Sequence, residues 1–424
     1  MATIELGEIS GRRPEDRRRP LGRDRRIAGA AIAILGLGLV AGSAVPEPRG
    51  VRPLWSAAAA GMALTAEAVY LHRTDGRGGS LISAYDLDTG RLRWQRPLPG
   101  PVGYVQATEE AGLLLVPAEA GRSGYRTTAL SAATGEEVWR ADGEPRTVDG
   151  GTALMAGYTA DGGLRQMRLI RLADNGTLWQ RDTPGVRNQV VAMSGGRPES
   201  VVTATAAGEV RVYAYATGVL TASGRIPMVE PRPEEGYFND LAAFGGRLVV
   251  NRSRGGVFEL SVYRLDTLRE LWGSKGTDGY AFSCGPSVCL SGAAGLVAHD
   301  PATGRVRWRL PGLTNALAVG DDRLVLDDGR EESEPVLVDA TTGEPVGAPG
   351  RGSAVWSPDP AGRILLLRST VTPPGRTAVT RWDLDTGRQT PLGTIGHMSG
   401  YHCESAARFL ACGRDDRVEV SEVP

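Results

Sequence analysis

Residues 84–94 read AYDLDTGRLRW: a hydrophobic strand, an Asp-x-x-Thr-Gly turn, and a second short strand ending in Trp. The same unit returns as ALSAATGEEVW (129–139), LIRLADNGTLW (169–179), VYAYATGVLTA (212–222) and VYRLDTLRELW (262–272). It continues as VAHDPATGRVRW (297–308), LVDATTGEPVG (337–347) and TRWDLDTGRQT (380–390). The Thr-Gly position or its equivalent falls at 89, 134, 175, 217, 267, 303, 342 and 386. Seven intervals span 297 residues, about 42 each, which is the period of a four-stranded propeller blade. In such a turn Asp or Ser accepts backbone N–H groups, and Gly supplies the positive φ that a tight hairpin needs.

Two more short alternating runs precede each turn, as in GYVQAT then GLLLVPA, so each repeat reads as four strands, A to D. The Trp closing strand D is large and flat, suited to packing between neighbouring blades. Three repeats lack it, at Thr221, Val346 and Pro391. The unit resembles the pyrroloquinoline-quinone-like (PQQ-like) propeller repeat, roughly A-x-D-x-x-T-G-x-x-x-W, over residues 51–424. The resemblance implies an all-β propeller. Its family includes quinoprotein dehydrogenases, an envelope assembly factor and membrane-anchored actinobacterial proteins, and the name of the repeat does not imply that the quinone binds.

Val51-Arg52-Pro53-Leu54-Trp55 looks like a strand D without its own preceding strands, and residues 401–423 look like strands A, B and C without a D. Pairing them would close the ring and hide its edges. Eight blades, the habit of this family, is the expectation, with seven or nine open. The literal count of eight repeats and one composite gives nine.

The chain of 424 residues has 41% hydrophobic and 23% charged residues, a globular composition, and a formal net charge of −1. Near-neutrality argues against a nucleic-acid partner. Residues 1–26 carry eight Arg against five acids and show no apolar periodicity, so a basic disordered arm is expected there. Residues 27–45 (IAGAAIAILGLGLVAGSAV) carry no charge and would span about 28 Å as a helix. They are read as a transmembrane signal anchor joined to the propeller by residues 46–50. The Arg cluster then places the arm in the cytoplasm and the propeller outside the cell membrane. Cleavage after Ala44 is the competing account.

The four cysteines form two local pairs, each at an A-to-B hairpin, and in an exported chain Cys284–Cys289 and Cys403–Cys412 are expected as disulfides. A zinc site using His402 and His397 beside Cys403 is the alternative, at a spacing that matches no standard zinc pattern.

For catalysis the signals are poor. Quinoprotein dehydrogenases of the resembled family hold the quinone over a Trp, with calcium bound by Glu, Asn and Asp, and no such set can be placed here. DLDTG at 86–90 and 383–387 lacks the later ligands of a calcium loop, and the turn accounts for it. No G-x-S-x-G elbow occurs, and His72, His299, His397 and His402 lack an evident nucleophile partner. No cofactor is assigned.

Tyr recurs where the chain begins strand A, at Tyr104, Tyr237, Tyr280 and Tyr401, with Gln106, Asn239 and His402 beside them. Exposed Tyr offers contact area and one polar handle, whereas inter-blade packing is the bland account. These seven residues are the candidate partner-binding set at the channel mouth. The function expected is a non-catalytic binding or scaffold module for an envelope protein, peptide or glycan. The alternative is a PQQ-dependent quinoprotein oxidoreductase.

Overall fold

The computed structural model describes residues 50–424 other than 121–123, 230–236, 278, 293–294, 320–321, 331–332, 356–362 and 399–401. Blade 1 shows the building rule. Strand A (Gly61–Leu64), B (Ala68–Thr74), C (Ser80–Asp86) and D (Leu92–Leu98) pair antiparallel in sequence order. Strand B is buried from Ala68 to His72 and strand D is mostly exposed, so the sheet runs from an inner position to an outer edge. The turn between C and D forms as its sequence dictates. Asp86 Oδ1 accepts the Thr89 N–H at 3.1 Å and hydroxyl at 2.9 Å, and Gly90 takes φ 65° while donating to the Asp86 carbonyl.

Blade 2 covers residues 106–142. Blades 3 and 4 share one 18-residue strand, Thr177–Ser194, which is D of blade 3 and A of blade 4. Blades 5, 6 and 8 cover residues 237–277, 280–310 and 353–396. Blade 7 has three strands (Asn315–Val319, Arg323–Asp327, Val336–Asp339), and its fourth is reduced to a bridge between Val338 and Pro345. Blade 9 is composite. Cys403–Ala406, Phe409–Arg414 and Arg417–Glu422 supply A to C, and Arg52–Ala58 supplies D in register Arg52↔Glu422 to Ala58↔Arg417.

Each blade meets the next through its own buried cluster, including blade 8 with blade 9 (Val355, Leu367, Cys403, Leu410) and blade 9 with blade 1 (Val69, Leu71, Phe409, Val420). The chain therefore closes on itself in a propeller-like ring of nine blades. The expected eight is corrected to nine, because the repeats without a strand-D Trp are blades none the less.

Those Trp residues stitch the ring. Trp55, Trp94, Trp139, Trp179, Trp272 and Trp308 donate from Nε1 to Leu87, Ala132, Leu172, Tyr215, Pro301 and Ala340 carbonyls of the next blade, at 2.6–3.2 Å. Five of the rings lie on the turn glycine of that blade, where an added Cβ would come within 2.4–2.7 Å of the indole. At the sixth the turn position is Asn175, in the same left-handed region at φ 56°.

The junctions lacking this Trp are filled otherwise. Between blades 4 and 5 the register sets Ala222, not Thr221, opposite Val212, where other blades have Trp, and the next turn carries Leu268 in place of Gly. Leu268 packs with Ala222 and Met228 against the cluster around Tyr263 and Leu265. Between blades 7 and 8, Trp382 comes from the opposite side, on strand C of blade 8, and is fully buried beside Val346. Between blades 8 and 9 lies the Cys403–Cys412 disulfide, across directly opposed residues of strands A and B. Cys284–Cys289, the other expected pair, also forms, buried between blades 6 and 7. With Cys403 so bonded, the zinc alternative falls.

The expected transmembrane helix is corrected. The described residues hold no α-helix, and no helix among them is long and apolar enough to cross a membrane. Residues 27–45, like the arm at 1–26 and the linker to residue 49, lie outside the described residues. The expectation rested on an uncharged length alone. The anchored form, its topology and attachment through residues 27–45 are dropped.

Candidate functional site

Antiparallel order puts all D-to-A connections and B-to-C hairpins on one face of the ring and the Asp-x-x-Thr-Gly turns on the other. The D-to-A face holds a recess of about 1010 Å³ where blades 9, 1 and 2 meet. Four separate stretches build its floor and walls: residues 59–62 with His72, residues 103–104, His397, and blade 9 at 402–404 and 413–418.

The register explains the first wall. Gly61 pairs with His72 across strands A and B, and a Cβ on Gly61 would stand 2.2 Å from His72 Nε2. Glycine here makes room for the imidazole, which is buried and whose pKa burial lowers. Across the recess, Glu404 Oε2 accepts the Leu64 N–H at 2.9 Å and so ties blade 9 to blade 1. Burial pushes the Glu404 carboxyl above its ordinary pKa, and that one N–H only partly offsets it. His397 and His402 are exposed at the rim.

Tyr104 is 37% exposed, and its hydroxyl reaches Glu144 Oε1 at 3.3 Å and the Pro145 carbonyl at 3.4 Å in blade 3. Burial, then the charge of Glu144, raises its pKa. Further aromatics share this face. Tyr125 and Tyr158 meet edge-on at 6.4 Å, and Phe238 and Phe258 at 6.0 Å. By contrast Tyr70, Tyr213, Tyr215 and Tyr263 are buried between blades.

Of the seven candidate residues, the structure brings Tyr104 and His402 into one recess. Gln106 begins strand A of blade 2, half-buried opposite Leu115. Tyr280 begins strand A of blade 6, 46% exposed, its ring 5.6 Å from that of Phe282 and away from the recess. Asn239 holds the connection before blade 5, with Nδ2 donating to the Val229 carbonyl and Oδ1 accepting its N–H, both at 2.9 Å. That is a structural task. Tyr237 opens strand A of blade 5 opposite Arg254, but its side chain lies outside the described residues, as does Tyr401. Sequence reasoning did not assign His72 or Glu404, and weighed His397 only as a zinc ligand; their meeting depends on strand register and ring closure. His299 stacks on Trp272 at 5.4 Å, with Nδ1 2.9 Å from the Gly304 carbonyl, a packing role.

The PQQ-like repeat raises the question of a quinone and calcium. Among the described residues no group of three or more His, Cys, Asp or Glu could hold a metal ion. Six Trp residues are committed to inter-blade contacts through Nε1, and Trp382 is fully buried. These residues do not fit the group.

Comparison with known proteins agrees with the fold. No curated protein matches the chain. Among solved structures, BamB from Moraxella catarrhalis aligns at 15% identity over 88% of this chain and 99% of its own, with a TM-score of 0.44. A eukaryotic initiation factor aligns at 11% identity over 81% and 90%, with a TM-score of 0.52. The quinohemoprotein alcohol dehydrogenase of Comamonas testosteroni aligns at 11% over 88% and 76%, with a TM-score of 0.44. At 11% identity the likeness to the initiation factor is one of fold alone, and the two structures at a TM-score of 0.44 carry no argument. Residues 77–265, just under half of the chain, match the family profile described as outer membrane protein assembly factor BamB, and this match supports the PQQ-like propeller relationship.

Proposed function

We propose that the chain is a non-catalytic binding or scaffold module that presents the D-to-A face of its propeller to a protein, peptide or glycan partner. The observation that carries this reading is the wide recess on that face, with Tyr104 and His402 at its edge. The family match supports a binding or scaffold role, since it is to an assembly factor. The further exposed Tyr280 extends the aromatic character beyond the recess. Exposed aromatics concentrated on one face suit recognition, because they bring large contact area at low entropic cost.

Capture experiments with the full chain test this. Tyr104→Ala and Tyr280→Ala together should abolish retention of partners from a cell extract with the thermal midpoint intact. Val306→Ser, on an exposed outer strand, should retain them. Loss with the Val306 variant and retention with the Tyr pair would overturn the assignment of the face.

A further inference from the structure

We propose that the recess between blades 9, 1 and 2 binds a neutral oligosaccharide, a conclusion that rests on the binding-module reading and names its ligand class.

The argument begins with Tyr104. A phenol anchored through its hydroxyl by Glu144 and the Pro145 carbonyl offers its ring, not its hydroxyl, to a ligand. The ring is held in place before binding, so it is a ready platform for the C–H face of a pyranose. The walls supply the complement. Each imidazole ring carries two nitrogens able to hydrogen-bond, and His72, His397 and His402 all line this recess. Sugar hydroxyls both donate and accept, which matches such mixed walls better than it matches a purely anionic or cationic one.

Charge points the same way. Arg414 and Arg417 are offset by Asp415 and Asp416 in the same hairpin, with Arg414 Nε 3.6 Å from Asp415 and Arg417 bonded to Ser56. No excess charge of either sign remains in that hairpin to select an ionic ligand. The recess is wide because Ala59, Ala60, Gly103 and Gly413 line it with almost no side chain. At about 1010 Å³ it lies at the upper end of small-ligand sites and admits more than one sugar ring.

Isothermal titration of the full chain with chitotetraose, cellotetraose and maltotetraose tests the proposal, with a sulfated heparin tetrasaccharide as the charged counterpart. Saturable binding of at least one neutral sugar is expected, with the heparin fragment weaker. Tyr104→Ala should weaken the neutral sugar about tenfold or more, and Tyr104→Phe much less, because the ring makes the contact. His402→Ala, at an exposed position, should also weaken it and covers the case in which Tyr104→Ala does not fold. Val306→Ser should bind as the unaltered chain does.

The proposal is overturned if no neutral sugar binds at about 1 mM, the weak end of specific affinity. It is also overturned if the heparin fragment binds best, or if Tyr104→Ala and His402→Ala both bind normally. Failure on sugars while Tyr104→Ala and Tyr280→Ala still abolish partner capture would reject the saccharide alone. Failure of both experiments would reject the binding face as well.

Discussion

Asp300 shows how one side chain sets a turn. Its Oδ2 accepts from Arg307 Nη2 at 2.7 Å, and its Oδ1 accepts the Ala302 and Thr303 N–H groups and the Thr303 hydroxyl. Arg307 first, then Thr303, holds the carboxyl down at about 2, against an ordinary 3.8. A depressed folded pKa means that the ionised form is the stabilising one. The contribution is fully present above 3.8 and is lost as pH falls through about 2. Asp300→Asn should therefore be less stable than the unaltered chain well above 3.8, and the difference should shrink as pH falls from 3.8 towards 2. Urea unfolding at both ends of that window measures it, and a difference independent of pH would show that the charge is not what matters. The equivalent Asp86, Asp339 and Asp383 have lowered pKa values through the same turn contacts, so acid sensitivity is spread around the ring.

A blade junction is where the repeat tolerates exchange, provided that volume is kept. Where strand D has Trp, the turn of the next blade mostly has Gly; where it has Ala222, that turn has Leu268. The two positions share one space. Ala222→Trp alone should destabilise by about 1–3 kcal/mol, because the indole and Leu268 overlap. Adding Leu268→Gly should restore much of that loss, since it recreates the pairing seen at Trp179 and Gly218. Denaturant midpoints of the two singles and the double decide it; additive losses would show that the positions do not share a space.

The same scale explains what could be read from the chain. The turns and six strand-D Trp residues are local patterns, so the four-stranded repeat, both disulfides and the start of strand A at Tyr280 were legible, whereas Tyr104 lies in the connection two residues before its strand A. Leu268 and Trp382 were not, because each replaces a residue of the neighbouring blade. The recess was half legible. His402 and Tyr104 are marked by their places just before a strand A, whereas Gly61, His72 and Glu404 meet only through register and closure. Asn239 shows the opposite error, since a polar residue in the right place serves its own loop.

The ring as a whole is as strong as its least supported junction, because opening any one of nine exposes two buried faces. Blade 9 carries the closure, with Arg52–Ala58 paired onto Arg417–Glu422 and Trp55 reaching into blade 1. Its other side, towards blade 8, has Pro391 where other repeats have Trp. There the Cys403–Cys412 bond lies in the cluster that includes Val355, Ile395 and Leu410. The Cys284–Cys289 bond sits at a junction that also has Trp308. Chain entropy alone barely separates the bonds. Loops of 9 and 5 residues each give about 2–3 kcal/mol, and the longer exceeds the shorter by only about 0.5 kcal/mol. If junction support governs the ring, Cys403→Ser with Cys412→Ser should cost clearly more than that margin beyond Cys284→Ser with Cys289→Ser. Its hydrogen exchange should also rise across blades 8, 9 and 1 together. Equal losses, with exchange confined to the altered hairpin, would mean that each bond pins only its own strands and that closure rests on the apolar clusters alone.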